Sequence, residues 1–180
     1  YPDQQFILVD SVSDLENITS ITFKEEQGSF LAGAIAGMTS KTNIVGFVGG
    51  ADVPLIRKFK AGFEQGVQAV NPAAQVKVVF ANDFGNAELG GTIASDMINQ
   101  GTDVLYAAAG FTGVGVLKEA QEKKKLAIGV DSDQYFFAEK AVVTSMLKNV
   151  DVALYETIKA FKTENKLSVK QIELGINEKG

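Results

Sequence analysis

Short apolar runs that end at glycine or aspartate alternate along the chain with longer segments whose apolar residues recur at helical spacing. This alternation is typical of βα units around a parallel sheet. The predicted strands are Phe6 to Val9, Ile21 to Phe23, Ile44 to Val48, Val76 to Phe80, Val104 to Ala108, Leu126 to Val130, Val142 to Leu147 and Ile172 to Ile176. The predicted helices are Lys24 to Met38, Pro54 to Val70, Ala87 to Asn99, Thr112 to Glu122 and Val150 to Phe161. The pattern predicts an α/β fold.

The first predicted helix has an apolar face and an unusual number of glycines. We expect that face to be buried because its residues recur at spacings of three and four. Its members are Phe30, Leu31, Ala34, Ile35 and Met38. The glycines lower helix propensity, which indicates that another element packs very close to this helix. They are Gly28, Gly33 and Gly37.

Aspartates stand at or just beyond the ends of four predicted strands. They are Asp10, Asp52, Asp83 and Asp131. In open α/β sheets, ligands bind in the crevice outside the carboxyl ends of the strands. We therefore expect the functional site to be built from the loops that follow these strands.

Composition removes several classes of chemistry. The 180 residues contain no cysteine and no histidine, which excludes Cys/His zinc sites, thiolate nucleophiles and Ser-His-Asp triads within this chain. The 17 basic and 22 acidic residues give a formal charge of −5. Because nucleic-acid binding depends on cationic neutralisation of phosphates, we expect no nucleic-acid partner. Carboxylate and lysine chemistry and simple binding remain open.

The length of the apolar runs and the start of the chain each lead to an expectation. No apolar run approaches the roughly 20 residues that a membrane-spanning helix needs. The chain begins at Tyr1 and enters a buried-type strand within a few residues, without a preceding element. We therefore expect it to be a piece of a longer fold.

A glycine-rich loop, Ala109 to Gly115, lies between a predicted strand and a predicted helix. Its G-x-x-G-x-G spacing differs from the G-x-G-x-x-G of dinucleotide sites, and it contains no lysine or arginine. A phosphate cradle is one interpretation. The spacing favours the other, in which the glycines allow close packing of strand on helix and backbone hydrogen bonds to an uncharged ligand.

Charged residues near two later strand ends are the main candidates for chemistry. Asp131 and Asp133 could act as general acid and base, bind a hard metal, or accept hydrogen bonds from vicinal hydroxyls. Asp133 also suits a helix cap or a turn, whereas the position of Asp131 at the strand tip favours a ligand. Lys148 follows the extended segment Val142 to Leu147, and paired with Asp131 it could fix the diol of a ribose or another sugar.

Phenylalanines in the loops have two interpretations. Phe84 lies in the polar loop Asn82 to Asn86, where it either packs the loop onto the core or offers a face to a flat ligand. For Phe111 and for Phe136 and Phe137 the expected place is the core.

Three separated segments resemble one known family over nearly the whole chain. They are FKEEQGSFLAG at 23–33, GFVGG at 46–50 with Asp52, Pro54, Phe59, Gly62, Phe63 and Gly66 after it, and GVDSDQ at 129–134 with TSMLK at 144–148. They are similar to motifs of the basic membrane lipoprotein (BMP) family of ABC-transporter substrate-binding proteins, which includes purine-nucleoside-binding lipoproteins.

The resemblance implies a type I periplasmic-binding-protein fold, in which two α/β lobes with helices on both faces of a parallel sheet close on a nucleoside. On this alignment residues 1–40 end a partial first lobe and residues 41–147 form a nearly complete second lobe. Residues 148–180 form a crossover helix and a segment that returns toward the second lobe.

The resemblance also implies site residues. Asp131 and Lys148 match the ribose-binding aspartate and lysine, Phe84 matches an aromatic that covers one face of the base, and Gly110 falls in a loop that makes main-chain contacts. This chain differs from the family pattern around Phe84 and at Phe111, which stands in place of a glycine. No catalytic residue, metal or cofactor is implied.

The implied function is the substrate-binding component of an ABC importer, not an enzyme, whose partners are a nucleoside and a membrane permease. The implied location is extracytoplasmic, on a lipoprotein anchored through an upstream cysteine. With half of the site in the missing lobe, we expect this chain to bind nucleosides weakly or not at all. We expect the remnant of the first lobe, including the Lys24 to Met38 helix, to be buried by dimerisation or partly disordered.

Two other functions remain open from the sequence. A carboxylate-dependent nucleoside or sugar hydrolase would use Asp131 and Asp83. A sugar-responsive regulator of the same fold would need a DNA-binding segment upstream of this chain.

Overall fold

A computed structural model describes residues 1, 4–164 and 169–180, with the side chain of Glu164 left out. The strands are β1 (Phe6–Val9), β2 (Ile18–Phe23), β3 (Ile44–Gly49), β4 (Gln75–Phe80), β5 (Val104–Ala108), β6 (Leu126–Asp131), β7 (Val142–Leu147) and β8 (Gln171–Leu174). The helices are α1 (Glu25–Thr39), α2 (Pro54–Val70), α3 (Ala87–Asn99), α4 (Gly110–Glu122) and α5 (Val150–Glu164), and a short 3-10 helix spans Tyr135–Phe137. Every strand and helix that the sequence predicts is present.

The described chain divides by its contacts into two compact units. The larger unit is Glu25–Leu147, and the smaller unit combines Tyr1–Lys24 with Lys148–Gly180. In the larger unit the strand order is β4-β3-β5-β6-β7, and every neighbouring pair is parallel. This arrangement confirms the predicted α/β class. The segment boundaries 1–40, 41–147 and 148–180 stay a prediction.

Helices cover both faces of the larger sheet, because alternate residues of a strand point to opposite faces. Phe47 and Tyr106 lie in one core cluster with Phe63 of α2. The residues beside them in sequence, Val48 and Leu105, lie in a second cluster with residues of α3 and α4. These central strands are buried on both faces, which explains their continuous apolar runs.

Two of the three glycines of α1, Gly33 and Gly37, lie where this helix meets α2, whereas Gly28 lies against Met146 of β7. A Cβ atom built on Gly33 would overlap the carbonyl oxygen of Phe63, and one on Gly66 of α2 would overlap the carbonyl oxygen of Phe30. The two helices therefore contact each other main chain to main chain, as the sequence predicted. The close approach depends on small residues on the facing sides of both helices.

The expected buried face of α1 is wrong. Leu31 and Met38 are 51% and 67% exposed, and Phe30 is also exposed. The buried face consists instead of Glu25, Ser29, Ala32, Gly33, Ala36 and Gly37. Small residues face α2 because bulky ones would hold the two backbones apart. Burial of the exposed apolar face by dimerisation stays a prediction.

A carboxylate holds the segment between α1 and β3 against the start of β5. Asp103 accepts hydrogen bonds from Ser40 Oγ at 2.6 Å and from the backbone N–H groups of Lys41 and Thr42 at 2.7 and 3.0 Å. Burial acts to raise the pKa of Asp103, but these hydrogen bonds outweigh it and the pKa lies below its ordinary value.

The smaller unit has its own parallel sheet, in the order β1-β2-β8. Ile21 and Phe23 of β2 form a core cluster with Ala153 of α5. The expectation that the last segment returns toward the second lobe is wrong, because β8 pairs with β2 from Ser20↔Gln171 to Phe23↔Leu174. No helix in the described part of the chain is long and apolar enough to cross a membrane.

Candidate ligand site at the carboxyl ends of the larger sheet

The loops that follow β3, β4 and β5 are joined by backbone hydrogen bonds. The N–H of Gly50, just after β3, donates to the carbonyl of Ala108 at 2.9 Å. The carbonyl of Gly50 in turn accepts from the N–H of Asp83 at 2.9 Å. These bonds continue the sheet pairing beyond the ends of the strands, so three loops meet at the edge where the sequence places its candidate site.

Phe84 lies within this group of loops. A Cβ atom on Gly50 would overlap its ring, so the ring packs directly against the main chain there. The side chain is still 45% exposed. One part of the ring therefore packs against the loop and the rest is accessible, and the interpretation that it offers a face to a flat ligand stays a prediction.

Gly110 begins α4 beside Phe84. Its φ of 56° lies in the left-handed region, where glycine has no Cβ penalty. A Cβ atom on Gly110 would also lie 3.1 Å from the carbonyl oxygen of Phe84. The backbone conformation and the lack of room for a Cβ atom thus both favour glycine at this position. Helix α4 starts here, two residues earlier than predicted.

The other glycines of this loop allow close packing, in line with the favoured interpretation. A Cβ atom on Gly115 would overlap the carbonyl oxygen of Ala87, at the start of α3. A Cβ atom on Gly113 would lie 3.3 Å from Ala107 of β5. The segment therefore brings α4 close to α3 and to the sheet.

Thr112 fastens the β4 and β5 loops together, and the sequence analysis missed it. Its buried hydroxyl donates to the carbonyl of Asp83 at 2.8 Å and accepts from the N–H of Asn86 at 2.9 Å. Its own N–H donates to the carbonyl of Phe84 at 3.1 Å. A hydroxyl residue within a glycine-rich loop is the signal that could have identified it.

Asp131 is the last residue of β6, and it is exposed. Its φ of 66° is unusual for a residue with a side chain. Asp10 and Asn82, which follow β1 and β4, share this left-handed conformation, with φ of 65° and 55°. Aspartate and asparagine tolerate it better than most residues, so a strand can end there in a sharp change of direction.

Gln134 holds the loop after β6 in place, and it too was missed. Its Oε1 accepts from the N–H of Val130 at 3.0 Å, and its own N–H donates to Ser145 Oγ at 3.0 Å. Asp133 Oδ1 accepts from the N–H of Tyr135 at 3.0 Å, which confirms the interpretation of Asp133 as a turn residue. Asp131 thus stands on a well-anchored turn.

Lys148 belongs to the smaller unit. Its side chain is only 5% exposed, and its ammonium lies 2.5 Å from the carboxylate of Asp10. The same nitrogen lies 4.9 Å from the ring centroid of Phe23, a cation–π distance. Asp10 as its partner was not anticipated. The pairing of Lys148 with Asp131 stays a prediction.

Two aromatic expectations are wrong. Phe111 is 60% exposed, and Phe136 is also exposed rather than in the core. Phe137 is half-buried and stacks on Phe136 with ring centroids 4.1 Å apart. Phe111 lies in the first turn of α4, and Phe136 lies in the short 3-10 helix. At these positions on the surface the side chains stay exposed although they are apolar.

Asp83, the second carboxylate of the hydrolase interpretation, accepts a hydrogen bond within its own loop. Its Oδ1 accepts from the N–H of Gly85 at 2.8 Å, as turn-forming aspartates do. Among the residues that the structure describes, no group of three or more carboxylates is placed to hold a metal ion.

The fold of this chain matches that of solute-binding proteins. A crystal structure of a solute-binding protein of an ABC transporter system from Aeropyrum pernix K1 has a TM-score of 0.92 and 31% sequence identity to this chain. The match covers 100% of this chain and 54% of that protein. The chain therefore has the periplasmic-binding-protein fold of ABC-transporter solute-binding proteins.

The family follows from the sequence match. The model of the Bmp family, described as ABC transporter substrate-binding protein PnrA-like, matches residues 1–180, and the chain belongs to this family. This result confirms the resemblance to the BMP group.

Two curated relatives illustrate the match. A CD4+ T-cell-stimulating antigen of Listeria monocytogenes is 42% identical over 98% of this chain and 54% of its own length. The ABC transporter nucleoside-binding protein BmpA of Lactococcus lactis is 37% identical over 77% of this chain and 42% of its own length. The chain spans about half the length of the curated relatives it matches.

Proposed function

We propose that this chain supplies part of a nucleoside-binding site in the substrate-binding component of an ABC importer. The observation that supports this most strongly is the set of loops joined around Phe84, which leaves an aromatic ring accessible at the carboxyl end of a parallel sheet. The nucleoside-binding relative in Lactococcus lactis supports the choice of ligand class.

Each proposed contact matches one part of a nucleoside. The exposed carboxylate of Asp131 accepts hydrogen bonds from ribose hydroxyls, and Lys148 donates to the same sugar. The accessible part of the Phe84 ring covers one face of the base, and main-chain groups at Gly110 contact the ligand. Charge-assisted hydrogen bonds to the sugar contribute about 1.5–3 kcal/mol each, and stacking of the base contributes about 1–3 kcal/mol.

The proposed protein acts by capture and release, without bond chemistry. In this proposal it delivers the nucleoside to a membrane permease, and it is held outside the cytoplasm by a lipid anchor. Because the chain spans about half of its relatives, we expect the other half of the site to come from the rest of the polypeptide.

Calorimetry tests this proposal on two proteins, the 180-residue chain and the longest translated product that contains it. We expect adenosine, inosine or guanosine to bind the longer protein at micromolar or lower Kd and the 180-residue chain weakly or not at all. Absence of binding to the longer protein by all three nucleosides would contradict the proposed function. Tight binding by the 180-residue chain would show that it holds a complete site.

A turnover assay separates binding from hydrolysis. The longer protein is incubated with inosine, and free hypoxanthine and ribose are measured. We expect no release of base, because each proposed contact binds the ribose or the base and none acts on the bond between them. Release that depends on Asp131 and Asp83 would support the hydrolase alternative instead.

A further inference from the structure

Two exposed phenylalanines extend from loops that are fastened to each other. Phe84 follows β4 and Phe111 lies in the first turn of α4, and they are 45% and 60% exposed. Two large apolar side chains exposed on adjoining segments are more informative than single ones scattered over a surface, because burying them against a ligand removes apolar area from water.

The main chain fixes the two residues relative to each other. The carbonyl of Phe84 accepts from the N–H of Thr112, the residue after Phe111, at 3.1 Å. The Thr112 hydroxyl bonds to the carbonyl of Asp83, the residue before Phe84, at 2.8 Å. Gly110, the residue before Phe111, approaches Phe84 so closely that a Cβ atom would lie 3.1 Å from its carbonyl oxygen. Both phenylalanines are thus flanked by contacts that tie their loops together.

This fixed arrangement limits the entropy that is lost when a ligand binds. The ring of Phe84 already packs against Gly50, and Phe111 stands on a helix whose following residues are buried. Two aromatic residues held in this way form a preorganised surface for a flat, uncharged heterocycle. The glycine-rich segment Ala109 to Gly115 contains no lysine or arginine, so its side chains offer no positive charge for a phosphate.

We infer that Phe111 is a second aromatic contact for the base and sets a preference for large flat bases over small ones. This inference rests on the proposed nucleoside site and deepens it. Phe111 acts through the π-face and area of its ring, so a larger base gains more from it than a smaller one.

The test compares variants at Phe111 in the longest translated product that contains this chain. Calorimetry with guanosine and cytidine measures affinity for a large and a small base. We expect Phe111→Ala to weaken guanosine binding about tenfold and cytidine binding less. Phe111→Leu, which keeps apolar volume without the ring, should be intermediate, and Phe111→Tyr should retain the wild-type preference.

Phe30→Ala is the matched control, because Phe30 is also an exposed phenylalanine but lies on α1, where its main chain contacts Gly66 near the C-terminal end of α2. We expect it to leave both affinities unchanged. Thermal unfolding of each variant checks that the fold is retained. We expect it to be retained, because both phenylalanines are exposed. Loss of guanosine affinity in Phe30→Ala equal to that in Phe111→Ala would overturn the inference.

The two proposals fail in different ways. If the wild-type protein binds none of adenosine, inosine, guanosine and cytidine, the proposed function fails and the inference with it. If it binds adenosine or inosine but neither guanosine nor cytidine, only the inference is overturned. If the wild-type protein binds guanosine and Phe111→Ala binds both nucleosides as the wild type does, only the inference is overturned. An equal loss for both nucleosides would also overturn it, since the preference between bases would then lie elsewhere.

Discussion

Gly33 of α1 lies against the carbonyl oxygen of Phe63 in α2, with no room for a Cβ atom between them. The same helix pair has a second such contact, at Gly66 and Phe30. Glycine at these positions sets the distance between the two helices. Both helices pack on the sheet face that contains Phe47 and Tyr106, so this distance also affects how that face is buried. The small-residue face of α1 is therefore a structural feature of the core.

Gly33→Ala is expected to destabilise the larger unit. The added methyl group meets main chain on α2, which cannot rotate away as a side chain would, so the helices must separate. Overpacking of this kind costs about 1–3 kcal/mol in the free energy of unfolding. Urea unfolding followed by circular dichroism measures the change.

Gly91→Ala is the matched control for that substitution. Gly91 lies within α3, and a Cβ atom there would be 3.8 Å from the carbonyl oxygen of Gly115, an ordinary van der Waals distance. Alanine has the higher helix propensity, so we expect a gain of about 0.5–1 kcal/mol. Destabilisation by Gly91→Ala as large as that by Gly33→Ala would argue against main-chain contact as the cause.

The ion pair between Lys148 and Asp10 is expected to contribute to the stability of the smaller unit. A double-mutant cycle with Lys148→Met and Asp10→Asn measures the coupling. We expect about 1 kcal/mol, less than for a fully buried pair, because the Asp10 side chain is 35% exposed and solvent screens it.

The exposed pair of Lys159 and Glu156 in α5 serves as the comparison for this cycle. Their charged atoms lie 3.5 Å apart, and both side chains are exposed. The corresponding cycle should give a coupling of no more than about 0.5 kcal/mol. Equal couplings for the two pairs would mean that burial of Lys148 adds nothing.

Asp103 predicts a pH dependence of stability. Its folded-state pKa lies below the ordinary value of 3.8, so its contribution is present above that value and is lost as the pH falls below it. Asp103→Asn should lower the free energy of unfolding at neutral pH by about 2 kcal/mol, since it removes the charge that three donors favour.

The difference between wild type and Asp103→Asn should shrink as the pH falls from 5 to about 2, measured by urea titrations at each pH. Asp96→Asn, at an exposed position on α3, should follow the wild-type profile. A constant difference across this range would show that Asp103 acts through shape and not through charge.

Within the proposed site, we expect Asp131→Ala to weaken nucleoside binding more than Phe84→Ala. Removal of the carboxylate leaves ribose hydroxyls without an acceptor in the closed site, whereas removal of the ring loses stacking alone. Calorimetry on the longest translated product that contains the chain gives both values. Asp133→Asn is the control, since Asp133 bonds to its own turn. Equal losses for Asp131→Ala and Phe84→Ala would make stacking the dominant contribution.

The sequence predicted the order and type of the elements because those depend on local pattern. The apolar runs that begin at Ile44 and Val104 indicated strands, and the structure confirms both. The buried face of α1 was predicted wrongly because it depends on a neighbouring helix and not on local pattern. A count of bulky apolar residues takes no account of how closely the backbone of another helix approaches.

The site was predictable in part. Residues that follow strands, such as Phe84 and Asp131, were found because strand ends are visible in the sequence. Thr112 and Gln134 were not, since their role depends on partners that are distant in sequence, including Asp83 and Ser145.

By itself, the sequence determined the α/β class, the positions of the strand ends and membership of the family, because hydrophobic periodicity and short motifs are local properties. Only the tertiary structure decided which small residues bring α1 against α2, that Asp10 forms an ion pair with Lys148, and that Phe111 is exposed. These outcomes depend on which segments meet in space. The burial of a residue and its distance to residues remote in sequence arise from packing. A short stretch of sequence therefore does not reveal them.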